Sequence, residues 1–162
     1  MTALTWDEVG TRKYNTGTDH GVLYVRQDNG EYGKGVAWSG LSGVTETPAG
    51  AESSKVYADN IPYLTLISTE TFGGTINAYT YPPEFEACDG TAELTTGVTI
   101  SQQQRKTFGF VYRIRIGTDT NSEAGYEYHI LYGLTASPSE RTNNTVNESP
   151  EAVQFSWTIS SD

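Results

Sequence analysis

Three acids and the only cysteine of the chain crowd into TYPPEFEACDG, residues 80–90, as Glu84, Glu86, Asp89 and Cys88. Paired carboxylates can do acid–base work when one of them is desolvated. A thiol becomes a nucleophile beside a base in positive surroundings. Here the neighbouring charge is negative, which favours the thiol over the thiolate, and no base accompanies it. The segment reads instead as a short helix. Pro82 and Pro83 suit its first turn, Glu84 and Glu86 complement its N-terminal dipole, and Gly90 ends it. Phe85 and Cys88, three apart, share a face that can dock on a sheet.

The two histidines add no chemistry by spacing. His20 follows Asp19 in TDHG and His129 lies in YHILY, too far apart for a metal-ligand signature. They read as a turn residue and an exposed strand residue. The chain carries no G-x-S-x-G, phosphate-binding loop or dinucleotide fingerprint. The expectation is therefore a protein that is not an enzyme and uses no metal or cofactor.

The elements that position these residues are strands. The 162 residues suit one domain, in which roughly 70% of the unfolded surface can be buried. Aromatic residues make up 12%, with 11 tyrosines, and 17 glycines accompany many threonines, a composition for strands and tight turns. KTFGFVYRIRIG alternates, placing Phe108, Phe110, Tyr112, Ile114 and Ile116 on one face and Val111, Arg113 and Arg115 on the other. YEYHILYGL repeats the pattern with Tyr126, Tyr128, Ile130, Tyr132 and Leu134. AVQFSWTIS does so with Val153, Phe155, Trp157 and Ile159. These three segments are expected to carry much of the core. GVLYVRQ and DNGEYGKGVAW read as a hairpin about Asn29-Gly30. SSKVYADN and IPYLTLIST meet at Asp59-Asn60, GGTINAYTY is a further strand, and residues 117–125 form a turn. The fold class predicted is mainly β: an antiparallel β-sandwich or split barrel with one short flanking helix.

Charge narrows the partners. Twenty acidic and ten basic residues give a net charge of −10, which disfavours tight nucleic-acid binding but suits a surface that DNA must slide past. One cysteine excludes a disulfide framework. The N-terminal stretch has no apolar core, so it is read as neither signal peptide nor anchor, and no run is long and apolar enough for a membrane helix. Synthesis in a cytoplasm and no membrane partner follow as expectations. Residues 56–104 hold no Lys or Arg but contain Asp59, Glu70, Glu84, Glu86, Asp89 and Glu93, whereas Arg105, Lys106, Arg113 and Arg115 cluster after them. Such segregation suits contact between copies of the chain, with Arg113 and Arg115 facing an acidic neighbour.

Several stretches, in this order, resemble the major tail proteins, or tail tube proteins, of long-tailed, non-contractile bacteriophages. They are TALTWDEVGTRKYNTGTDHGVLYV, YADNIPYLTLIS, AYTYPPEFEACDG, RKTFGFVYRIRIG, HILYGLTASPSER and TVNESPEAVQFSWTIS, covering nearly the whole chain. The resemblance implies a single tail-tube domain over residues 1–162, without the immunoglobulin-like domain that many relatives carry after this point. It implies hexameric rings stacked into a hollow tube, inner strands joined into one continuous barrel, and a short helix of purely structural use. It implies as partners further copies of the chain, a tape-measure protein inside the tube, tail terminator and tail-tip proteins, and phage DNA in transit. The location implied is the virion tail. Candidate subunit or ring contacts are Tyr57, Asp59, Asn60 and Ile61 at a projecting hairpin, Arg113 and Arg115, and Arg141, Asn143 and Asn144 in the long polar loop. An acidic lumen is expected. The rival reading is a carbohydrate- or peptide-binding β-sandwich using Trp6, Trp38 or Trp157.

Overall fold

The computed structural model describes residues 3–161. Eleven strands run in chain order: β1 Lys13–Val25, β2 Val36–Trp38, β3 Leu41–Glu46, β4 Ser53–Ala58, β5 Ile61–Ile67, β6 Gly73–Ala78, β7 Ala92–Thr95, β8 Val98–Ile100, β9 Phe108–Thr118, β10 Gly125–Ala136 and β11 Phe155–Ser161. Between β6 and β7 a 3₁₀ turn, Pro83–Phe85, leads into the helix α1, Glu86–Asp89. Seven strands form one antiparallel sheet in the order β2-β1-β9-β10-β11-β6-β3, and β4-β5 and β7-β8 are separate ribbons.

The sheet rolls on itself. Its two edge strands, β2 and β3, are joined by only Ser39 and Gly40. Trp38 on β2 meets Trp157 on β11 edge to face, with ring centroids 5.5 Å apart, although three strands separate them in the order. No ladder joins β2 to β3, so the expected β-sandwich is present and the sheet is not a closed barrel. The helical segment caps the open interior. Phe85 and Cys88 are fully buried, and Phe85 packs on Trp38, Phe108 and Trp157 at 4.6, 5.4 and 5.0 Å. Each such aromatic contributes on the order of 2–3 kcal/mol through burial. Gly90 stops the helix in the left-handed region, φ 79, as the residue type requires.

Two expectations change. The tyrosines of β10 do not face the core: Phe110 pairs with Leu131 and Tyr112 with His129, which puts Tyr126, Tyr128 and Ile130 on the outer face. A bulge between Leu131 and Leu134, with Gly133 at φ 60, shifts the parity so that Leu134 and Ala136 turn inward. At the first hairpin only Gly30 takes a positive φ; Asn29 instead accepts the Glu31 backbone N–H through its side chain at 3.0 Å. The ribbon β7-β8 and the early start of β1 are additions to the sequence reading.

Candidate assembly surface

The β4-β5 ribbon is an arm. Asp59 and Asn60, φ 52 and 62, make the two-residue turn at its tip, so the turn chemistry in the sequence sets this geometry. Behind it the ribbon continues into the sheet. The Ser68 N–H donates to the Glu52 carbonyl at 3.0 Å, Ala49 and Thr71 exchange both backbone bonds at 2.8 and 2.7 Å, and the Thr47 N–H reaches Gly73. Residues 41–78 are thus one long hairpin whose inner half belongs to the sheet as β3 and β6. The positive φ values of Gly50 and Ala51 mark where the outer half departs.

Beyond that point only Ala58 is even half-buried; every other residue of β4 and β5 is exposed. Val56 pairs with Leu64 and lies beside Leu66 on one face, while Tyr57, Ile61, Tyr63 and Ile67 are all more than half exposed. A two-stranded ribbon is marginal alone in water, and this one is apolar on the outside. Of the candidate contacts, Tyr57, Asp59, Asn60 and Ile61 all lie here, on an element with no chemistry of its own and a large area to bury.

A second surface is the uncovered face of β1, β9 and β10. It carries Tyr14, Tyr126, Tyr128, Ile130 and Tyr132, all exposed. Arg113 and Arg115 share this face as expected, but each has a partner within the chain. Arg113 donates from Nε and Nη2 to the two oxygens of Asp19 at 2.7 and 2.9 Å, and its guanidinium lies 4.1 Å over the Tyr126 ring. These bonds hold the Asp19 carboxyl down at about 2, against the opposing pull of burial, with His20 helping. Arg115 pairs with Glu123 at 3.1 Å. His20, at φ 50, sits in the bulged stretch of β1 and contacts Asp19 and Arg113.

The same strands leave backbone edges open. β2 pairs with β1 only over Gly21–Leu23, and β11 pairs with β10 only over Leu134–Ala136. Among the described residues, no ladder therefore covers the outer edge of β1 at Lys13–Asp19 or that of β10 at Gly125–Ile130.

The third group of candidates separates. The loop between β10 and β11, residues 137–154, surrounds a hollow of about 630 Å³ lined by Asn143, Asn144 and Asn147 among others, and Asn143 and Asn144 are exposed. Arg141 instead anchors the loop. It donates to Asp89 Oδ2 at 3.1 Å and to the Tyr81 hydroxyl at 3.2 Å, and lies over Tyr81 and Phe155.

That contact also answers what the acidic segment does. Asp89, with its side chain only 2% exposed, accepts the Trp157 indole N–H through Oδ1 at 3.2 Å and so ties helix, last strand and loop together. Glu84 is exposed at the helix start. Burial, reinforced by Asp89, pushes the Cys88 thiol up to about 12, which leaves almost no thiolate at neutral pH. Trp38 and Trp157 are core residues, while Trp6 is exposed. Sequence reasoning missed Asp89 as a buried anchor, and His129 as well. That ring is not a free strand residue but contacts Glu46, Glu127 and Tyr112. A carboxylate one residue before a helix-ending Gly, with Trp on an inward strand position, was the available signal for Asp89.

Among the described residues no helix is long and apolar enough to cross a membrane. No protein-family model matches the chain, and no curated protein is significantly similar to it.

Proposed function

We propose that the protein is a structural subunit that assembles with copies of itself into stacked rings, forming the hollow tail tube of a long-tailed, non-contractile bacteriophage. The observation that carries this reading is the arm: a long apolar ribbon, exposed on both faces, that gains stability only when a partner covers it. The open edges support it further. β1 and β10 are both antiparallel to β9, so they run parallel to each other. In a cyclic ring every copy has the same strand sense, and β10 of one copy would meet β1 of the next in a parallel seam.

Joined this way, the tyrosine-bearing face would line the lumen, since the opposite face is filled by the core. Its arginines are already paired with Asp19 and Glu123. The lining would then be charge-balanced and hydroxyl-rich rather than simply acidic, a surface with few free cations to hold passing DNA. On this reading the arm reaches the adjoining ring, a tape-measure protein occupies the lumen, and terminator and tip proteins close the ends.

Negative-stain electron microscopy of the purified protein at low and raised salt tests the proposal. Salt screens repulsion between subunits of net charge −10, so hollow tubes or rings should become more abundant. A Leu64→Ser, Leu66→Ser double variant should remain folded and form none. Persistent monomers under all conditions, including with an added preformed tail-tip complex as seed, would count against it.

The exposed row Tyr126, Tyr128 and Tyr132 favours a second reading, a face on which sugars or peptides stack. Binding by the monomer on a glycan array, lost in Tyr128→Ala, would select it.

A further inference from the structure

Glu46 is the last residue of β3, where the hairpin turns away toward the arm, and its side chain reaches across the interior of the roll to β9 and β10. Among the described residues β3 has no ladder with either strand and pairs only with β6. At the crossing, His129 Nδ1 lies 2.9 Å from Glu46 Oε1 and 3.2 Å from the Tyr112 hydroxyl. His129 Nε2 lies 3.2 Å from Glu127 Oε1, and Glu127 also accepts from Asn15 of β1 at 3.4 Å. The Tyr112 hydroxyl donates its one proton to Glu46. Burial first, then the bond to Glu46 and the nearby carboxylates, keep that phenol protonated well above its usual range.

With the phenol proton committed, both nitrogens of His129 face carboxylate oxygens, which only accept. A neutral imidazole has a single N–H, so one of its lone pairs would oppose a carboxylate. The imidazolium satisfies both contacts. Among the described residues no Lys or Arg pairs with Glu46 or Glu127, so His129 is the cation placed to neutralise them.

We propose that protonated His129 is a latch that holds the root of the arm against the sheet, and that its deprotonation loosens the arm. The groups facing the ring are Glu46 from β3, Tyr112 from β9, Glu127 from β10 itself and, beyond it, Asn15 from β1. The device does not depend on what the arm finally grips. The latch is set while the ring carries both protons and released when it loses one, and histidine is the side chain that ordinarily changes charge in the neutral range.

Amide hydrogen exchange on the intact protein, corrected for the intrinsic effect of pH, tests this at about pH 5.5 and pH 8. The amides of Thr47, Ala49 and Thr71 report on the arm root. They should be roughly tenfold better protected at the lower pH, the worth of one hydrogen bond to a charged group. His129→Gln should remove that difference while leaving the amides of β9 unchanged. Equal protection at both pH values, or the same pH dependence in His129→Gln, overturns the proposal. If the variant does not fold, the nitrogen-15 shifts of the His129 ring in the unaltered protein decide. Two protonated nitrogens at the lower pH support the latch, and one bare nitrogen there overturns it.

Discussion

The helix-capped interior and the arm are built from the same kinds of residue, yet they end in opposite states. In the interior Phe85, Trp38, Phe108 and Trp157 meet within about 5.5 Å, and all are buried. In the arm Val56, Leu64 and Leu66 share one face of the ribbon, and Tyr57, Ile61, Tyr63 and Ile67 are more than half exposed, so all lie open to solvent. The difference lies in connectivity. The interior residues come from elements distant in sequence that gather around a common centre, whereas the arm is a local hairpin with solvent on both faces. Apolar pattern alone therefore says that a surface is to be covered, and topology says whether the same chain covers it.

The largest break in this comparison should come from the interior. Phe85→Ala should cost about 3–5 kcal/mol of unfolding free energy, from lost burial plus the cavity left among rigid rings. The matching change in the arm, Leu64→Ser, should leave the monomer within about 0.5 kcal/mol of the original, because the site is already wet. Urea unfolding of the two variants at one protein concentration measures both. A large loss from the arm change would mean that the arm packs on its own sheet in solution.

Next in size is the polar anchor of the same interior. Asp89→Ala leaves the Trp157 indole N–H and the inward end of Arg141 without their acceptor. Removing one partner of a buried ion pair typically costs about 3 kcal/mol or more, and partial exposure of Arg141 places this change at the lower end. Because Arg141 also pins the loop of residues 137–154, proteolysis in that loop should accelerate together with the loss of stability. Stability lost without faster cleavage would show that the loop is held by other contacts.

How far these regions were legible in the sequence follows from the same contrast. Period-two alternation found β9 and β11 and oriented them correctly, because one face was apolar and the other carried Arg, Gln, Ser or Thr. It failed on β10, where one face reads Tyr126, Tyr128, Ile130 and Tyr132 and the other Glu127, His129 and Leu131. Tyrosine is at home on either side of a sheet, and a bulge at Gly133 reverses the parity before Leu134. The arm was readable because Asp59-Asn60 encodes a tight turn locally. The two polar anchors were not, since Asp89 with Arg141 and Glu46 with His129 are joined by tertiary contacts across 52 and 83 residues.

Chemistry sharpens the comparison at a smaller scale. Cys88 has a raised thiol pKa and sits on the buried face of the helix, so a thiol reagent at neutral pH should modify it only through opening of the fold. Modification should be slow in buffer and prompt in denaturant. A cysteine placed at exposed Ile67 on the arm should react at a rate close to that of a free peptide. Fast native labelling of Cys88 would mean that the helical cap opens readily, and the interior would then be less closed than its packing indicates.

The smallest effect belongs to the uncovered sheet face. Asp19 titrates at about 2 in the folded protein because Arg113 binds its charged form. An acid whose folded value is depressed stabilises the fold above its unfolded value, near 4, and loses that contribution as pH falls through its folded value. The relevant window is therefore between about pH 4 and pH 2. Asp19 is partly exposed, so solvent screens the pair and its worth should fall below about 1 kcal/mol. Asp19→Asn should flatten the acid limb of the stability curve by that amount and leave neutral stability only slightly lower. Raised salt should shrink the difference between variant and original. If salt has no effect, the pair is shielded more deeply than an open sheet face allows, and the face would then be covered even in the isolated protein, as it would be if copies associate before any tube is seen.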